Sequence, residues 1–274
     1  MTVTTASAIP ATTDITGRTR LLAILADPVA HVKAPPLINR LAAERGRDAV
    51  MVPVQVAPAD LPQVAETLRR LKNFDGAIVT VPHKTAMLPL CDSLSRAAEL
   101  VGAVNVIRRT ADGRIEGDAL DGVGFVGGLQ AAGIALAGRR VYLAGAGGAA
   151  SAIAFALAQA GVGHLTIANR SADKARALAA RVADAFPAVG AAAGDSDPSG
   201  HDLVINGTSL GMKPSDPLPL DAARLTQAMV VAEVIMEPAI TPLLAAAERA
   251  GARIHRGAPM LDCQVSLMAD FFGL

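Results

Sequence analysis

Short apolar runs alternate along this chain with amphipathic segments of helical length, and the alternation lays out most of the elements. RLLAILAD (20–27) predicts a strand, and PLINRLAAERG (36–46) predicts a helix that stops at Gly46. AVMVPVQV (49–56) is the next strand, DLPQVAETLRRL (60–71) a helix and GAIVTV (76–81) a strand. A helix over 93–102, with Ser93 as its N-cap, leads into a hairpin in which AVNVIRR and RIEG flank a turn at 111–113. A second series follows: helix 121–132, strand 139–145, a helix opening at Gly148, strand 164–170 and helix 171–186. Strands 201–207 and 229–236, helix 241–251, the run ARIHRG and a helix over 258–272 complete it. The Pro/Ser/Gly/Asp-rich stretches 194–200 and 211–219 are loops.

Strands alternating with helices imply an α/β fold with parallel sheets covered on both faces. The natural parse is two such domains meeting near residues 119–121, with a loose, polar, Thr-rich tail over 1–19 that lacks the apolar centre of a secretion signal. Periodicity alone does not assign the last helix to either domain. Residues 141–163 carry no charge, but Gly145, Gly147 and Gly148 interrupt them and a strand-like VYLAG opens them. They read as a strand–turn–helix, not as a membrane span.

Charge and cysteine usage narrow the partners. Lys+Arg and Asp+Glu balance at 25 each over 274 residues, which argues against a nucleic-acid surface or a polybasic membrane patch. Two lone cysteines and five scattered histidines share no metal-ligand spacing, so no metal site is expected and a reducing cytoplasm is the expected setting.

"VYLAGAGGAASA" places Gly145, Ala146, Gly147, Gly148 and Ala150 between a predicted strand and a predicted helix. In a dinucleotide site the first glycine permits the tight turn and the second lets a pyrophosphate approach the backbone. The small Ala150 lets the helix pack closely on the sheet, and the helix start supplies amides. A purely structural turn is the alternative. The following strand ends Asn169-Arg170-Ser171, with Lys174 three residues on, where an NAD site usually carries an acidic residue. A guanidinium, a hydroxyl and an ammonium suit a 2′-phosphate, so NADP is favoured over NAD. Here the alternative is that Arg170 and Lys174 are merely solvated residues at a helix start.

"VTVPHK" sets Lys84 just beyond a strand, and "GDALDGVG" sets Asp121 at the domain junction. A Lys and an Asp converging on a cleft form a proton-transfer pair, the ammonium exchanging the alcohol's proton while the carboxylate orients it. On these two positions alone, a surface Lys and a helix-capping Asp are the commoner explanation.

Taken in order, AHxKxP (30–35), VTVPxK (79–84), GAVN (102–105), GD-x-x-DG (117–122), GAGG (145–148), NRS, NGTSLGM (206–212), TPLL (241–244) and G-x-x-ML-x-x-Q (257–264) strongly resemble the shikimate dehydrogenase family, from Leu21 almost to the end. The resemblance implies a substrate domain over 20–120 completed by 256–274, a Rossmann NADP domain over 121–255 and a cleft at their junction. It implies Lys84 and Asp121 as the catalytic pair, Thr80, Asn105 and Gln264 as holders of ring hydroxyls, and Gly257 and Met260 beside the nicotinamide. Met260 and Gln264 lie one helical turn apart, so both can face the cleft, with simple core packing the alternative for Met260. A small cyclic alcohol or ketone is the implied substrate, turned over by a monomer or homodimer. The rival reading is a non-catalytic NADP-binding paralogue or sensor. A folate-type dehydrogenase fits the motif series less well.

The loop "VAHVKAPPLI" departs from the family pattern. Where the family reads His-Ser-x-Ser-Pro, with two hydroxyls for the substrate carboxylate, this chain has Val32 and Ala34. Ile78, Ala119, Leu120 and Met236 likewise stand where polar residues are usual. A hydrogen bond to a charged group contributes about 1.5–3 kcal/mol, so losing two without replacement costs roughly two to four powers of ten in affinity. The expectation is intact dehydrogenase machinery acting on an alcohol less polar at that end. Within it, His31 or Lys33 could instead take over the carboxylate.

Overall fold

The computed structural model describes residues 14–274; residues 1–13 of the predicted tail lie outside it. Next to the first strand the tail forms a turn in which Thr16 donates its amide to Thr19 Oγ1 at 2.9 Å, and Thr19 is buried.

The first series gives β1 (Arg20–Ala26), α1 (Ala34–Glu44), β2 (Ala49–Gln55), α2 (Leu61–Arg70), β3 (Phe74–Val79) and a one-turn α3 (Lys84–Met87). β4 (Ser93–Leu94), α4 (Arg96–Val101), β5 (Val106–Arg109) and β6 (Ile115–Asp118) follow. Their sheet runs β2-β1-β3-β5-β6-β4. β1 is parallel to β2 and β3, while β5 is antiparallel to both β3 and β6. A hairpin turn is too short for a crossover, so the predicted hairpin makes this sheet mixed.

The second series gives α5 (Asp121–Ala131), β7 (Arg140–Ala144), α6 (Gly148–Gln159), β8 (His164–Ala168), α7 (Ala172–Ala185) and β9 (Gly190–Gly194). β10 (Leu203–Asn206), β11 (Val230–Glu233), α8 (Pro242–Arg249), β12 (Arg253–His255) and α9 (Ala258–Phe272) complete the chain. Every pairing in this sheet is parallel, in the order β9-β8-β7-β10-β11-β12. That is the doubly wound dinucleotide-binding order, and the chain reverses direction across the sheet between β7 and β10, where ligands of such sheets bind.

Three local expectations are corrected. Ser93 is not a helix cap: it pairs with Glu116 in β4, and Ser95 caps α4 by accepting from Ala98 N at 3.1 Å. Helix α1 starts two residues early, at Ala34, because Pro35 and Pro36 suit a first turn, where no amide donor is needed. The edge strand β9, GAAAG, escapes a sequence reading because it has neither β-branched residues nor alternation.

The last helix, α9, packs against the first sheet and against α5. Val265, Met268 and Phe272 of α9 join Leu22, Ile24, Ile78 and Val106 in a core on one face of the first sheet. Helix α5 lies between the two halves: Phe125 and Leu129 pack with Val141 and Ile153 of the second core, while its other side meets α9. The contact needs Gly124, since a Cβ there would fall 2.3 Å from Gln264 Cγ.

Candidate active site

The turn closed by His83 N donating to Thr80 O (2.8 Å) ends β3 and presents Lys84 as the first residue of α3. Lys84 O also accepts from Val104 N at 2.9 Å, tying that turn to the segment that carries Asn105. Asp121 opens α5. Lys84 Nζ donates to Asp121 Oδ2 at 2.5 Å, while Asn105 Nδ2 (2.8 Å) and Gln264 Nε2 (2.7 Å) both donate to Oδ1. Asn105 Oδ1 in turn accepts from Leu120 N at 2.8 Å, which fixes the amide's orientation.

Burial by itself pushes the Asp121 carboxyl upward. The Lys84 charge and the bonds from Lys84, Gln264 and Asn105 outweigh it, and the net shift is below the usual carboxylate range. Asp121 is therefore ionised at neutral pH. Its stabilising contribution is full above the ordinary carboxylate pKa and is lost only as pH falls through the lowered value.

These groups form the polar wall of a cavity of about 350 Å³. Thr80, Lys84, Asn105, Asp121 and Gln264 line it together with Ile24, Val32, Ala34, Ile78, Met236, Gly257, Met260 and Met268. Every expected catalytic and substrate-binding residue thus reaches one space. Of the positions that lost polarity, Val32, Ala34, Ile78 and Met236 line it. Leu120 does not, since it packs into the core under α9. Lys33 Nζ is held by Glu237 Oε1 at 2.5 Å across the cleft, from the loop beyond β11.

The glycine loop borders two further cavities of about 610 and 650 Å³. The larger shares His31, Lys33, Ala149, Val234 and Met236 with the substrate cavity, and shares Gly145, Ala146, Gly147 and Asn169 with the third. One continuous cleft thus runs from Lys84 to Arg170. Gly145 has φ +119°, a conformation closed to side-chain-bearing residues, and Ala150 is fully buried against it. Gly147 caps α6 without a side-chain bond, and no atom lies within 4 Å of where a Cβ on Gly147 or Gly148 would stand. Open space beside uncapped amides at a helix start fits a pyrophosphate.

Arg170, Ser171 and Lys174 line the far end. Asn169 Nδ2 donates to Ser171 O at 3.1 Å and shapes that loop, and the neighbouring Asp173 pairs with Arg176, not with Arg170 or Lys174. Thr208 and Ser209 line the same cavity opposite the glycines; the sequence reading passes over them as individual residues, although NGTSLGM contains both. Among the described residues no group of His, Cys, Asp or Glu is placed to hold a metal, and no helix is long and apolar enough to cross a membrane.

Two α/β sheets about a shared cleft, one in dinucleotide-binding order, with a Lys from the first half meeting an Asp at the start of the second, define a two-domain nicotinamide-dependent oxidoreductase. Residues 24–107 match the family model for the shikimate dehydrogenase substrate binding domain, and residues 129–209 match that for shikimate / quinate 5-dehydrogenase. The chain is 40% identical over 264 residues to the shikimate dehydrogenase (NADP(+)) of Acidiphilium cryptum (strain JF-5), covering 95% of this chain and 93% of that protein. It belongs to the shikimate dehydrogenase family. Among solved structures, shikimate 5-dehydrogenase from Thermus thermophilus in complex with NADP(H) and shikimate superposes with a TM-score of 0.84 at 31% identity, covering 93% of this chain and 94% of that one. The 5-ketofructose reductase of Gluconobacter sp. strain CHM43 matches equally well, with a TM-score of 0.84 at 32% identity over 94% of this chain and 99% of that one.

Proposed function

We propose that this protein is an NADP-dependent oxidoreductase that interconverts a ring alcohol and its ketone, with Lys84 and Asp121 as the catalytic pair. The observation that carries the reading is the 2.5 Å bond between Lys84 and Asp121 in the wall of a cavity continuous with the glycine loop. A non-catalytic sensor has no need of a carboxylate held by an ammonium and two amide donors.

When bound, the nicotinamide supplies or accepts the hydride. Lys84 holds the reacting oxygen and gives it a proton as negative charge develops there, or takes that proton in the oxidative direction. Asp121 keeps the ammonium aimed, and Asn105 and Gln264 keep Asp121 aimed. Lys84 is 29% exposed, which leaves it a route to exchange its proton with water. Thr80 offers the substrate a hydroxyl, while Gly257 and Met260 border the ring of the cofactor. Gly145, Ala146, Gly147, Gly148 and Ala150 shape the pyrophosphate cradle. Arg170 and Lys174 would meet the 2′-phosphate charge against charge, with Asn169 and Ser171 as the neutral polar residues of the same loop.

The finer reading concerns the substrate. Val32, Ala34, Ile24, Ile78 and Met268 give the cavity an apolar side; of the two donors beside Val32, Lys33 is engaged by Glu237, and His31 stands toward the glycine-loop cavity. We therefore assign a neutral ring alcohol or ketone as the preferred substrate. The Gluconobacter relative is by name a reductase of 5-ketofructose, a molecule without a carboxylate. Initial rates of NADP reduction with shikimate, quinate and methyl shikimate, with NAD in parallel, test both levels. Turnover with NADP and a higher kcat/KM for the ester are expected. No turnover of any ring alcohol overturns the enzyme assignment, and a preference for the free acid overturns the neutral substrate.

A further inference from the structure

Lys33 and Lys84 are the two cationic side chains, Lys or Arg, that line the substrate cavity, and each is matched to a carboxylate. Lys84 is held by Asp121. Lys33, at the cap position before α1 in the first half of the chain, is held by Glu237, four residues beyond β11 in the second. The two ion pairs differ in kind. Asp121 is 14% exposed, whereas the Lys33 and Glu237 side chains are 47% and 78% exposed, so water screens their attraction and the pair adds little to fold stability. Its consequence is for charge at the cleft: Lys33, which lines both the substrate and glycine-loop cavities, is turned toward Glu237, and Glu237 adds a second negative charge to the glycine-loop cavity beside it.

We propose that Glu237 is a specificity-determining residue: it occupies Lys33 and repels anionic substrates, so that carboxylate-bearing rings are selected against. This rests on the neutral-substrate reading and supplies its repulsive half. Val32 and Ala34 remove attraction for a carboxylate, and Glu237 cancels the one nearby ammonium that could restore it. Selectivity built by repulsion as well as by fit is a general device, and it acts on the ratio between substrates.

The experiment compares kcat/KM for shikimate with that for methyl shikimate, which shares the ring but carries no charge, in the parent, Glu237→Gln, and Glu237→Gln combined with Lys33→Met. Glu237→Gln is expected to raise the shikimate-to-ester ratio roughly tenfold at low salt, the size of one unit charge acting through a partly solvated cleft. Adding Lys33→Met should remove most of that gain. An unchanged ratio in Glu237→Gln overturns the proposal. So does a parallel rise for acid and ester, since the pair would then merely hold the cleft shut. If the parent already favours the free acid but Glu237→Gln raises the ratio further, the neutral-substrate reading falls while the role of Glu237 stands.

Discussion

Gln264 Nε2 donates to Asp121 Oδ1 at 2.7 Å although 143 residues separate the two in sequence. The approach depends on Gly124, beside which the glutamine side chain passes. Replacing Gln264 by Leu keeps its bulk and removes one donor to an ionised carboxylate, a bond worth about 1.5–3 kcal/mol. The expected outcome is a fall in kcat/KM of roughly ten- to a hundredfold, with NADPH affinity, read by nucleotide fluorescence, unchanged.

Lys84→Met removes the proposed proton donor while keeping an unbranched side chain. A loss of kcat on the order of 10²–10⁴ is expected at unaltered NADPH binding. Steady-state rates beside a binding titration check it, and retention of parental kcat would remove Lys84 from the mechanism.

Arg170→Asp places a carboxylate where the 2′-phosphate is assigned. The apparent KM for NADP should rise far more than that for NAD, because an aspartate repels the phosphate and can accept from a free ribose hydroxyl. Equal responses of the two cofactors would show that Arg170 is only a solvated helix-start residue.

Val32→Ser with Ala34→Ser returns two hydroxyls to the loop before α1. Both positions line the substrate cavity, so kcat/KM for shikimate should rise by roughly tenfold or more, with less change for methyl shikimate. Turnover of the acid that is no better than in the parent would place its carboxylate elsewhere.

Glu233 is fully buried at the end of β11. Asn206 Nδ2 (3.2 Å) and Thr241 Oγ1 (2.8 Å) donate to its Oε1, and its Oε2 has no partner. Burial raises this carboxyl above its usual range, against the two bonds that lower it. A raised carboxyl favours the fold when protonated, so its contribution is full below the ordinary Glu value and fades as pH climbs through the raised one. Glu233→Gln should therefore melt above the parent at about pH 8, with the gap closing toward pH 5 in a thermal series; a pH-independent gap would count against the raised carboxyl.

What the sequence made legible divides along physical lines. Helix 258–272 and the glycine loop were readable because apolar period and turn chemistry are local, and Lys84 and Asp121 because their motifs are. Ser95 displaced Ser93 as a cap because two extra strand pairs at Ser93–Leu94 form only with β6 in place. Asn105 and Gln264 were recognisable as site residues, but their convergence on one oxygen of Asp121 is visible only after the two halves pack. Leu120 looked like a pocket position and is core, since facing direction at a helix start depends on what lies beneath it. The Lys33–Glu237 pair, spanning 204 residues, left no local trace.

The seam between α5 and α9 also has a consequence for synthesis. Leu22, Ile24, Ile78 and Val106 share a face of the first sheet that Ala34 and Ile38 of α1 cover in part and that Val265, Met268 and Phe272 complete. Both sheets leave the ribosome before α9 does, and domains emerging in order tend to fold as they appear. The nascent chain therefore passes through an interval in which its dinucleotide half can close while the half bearing Lys84 still presents an apolar face covered only in part, by α1, and Asp121 still waits for its third donor.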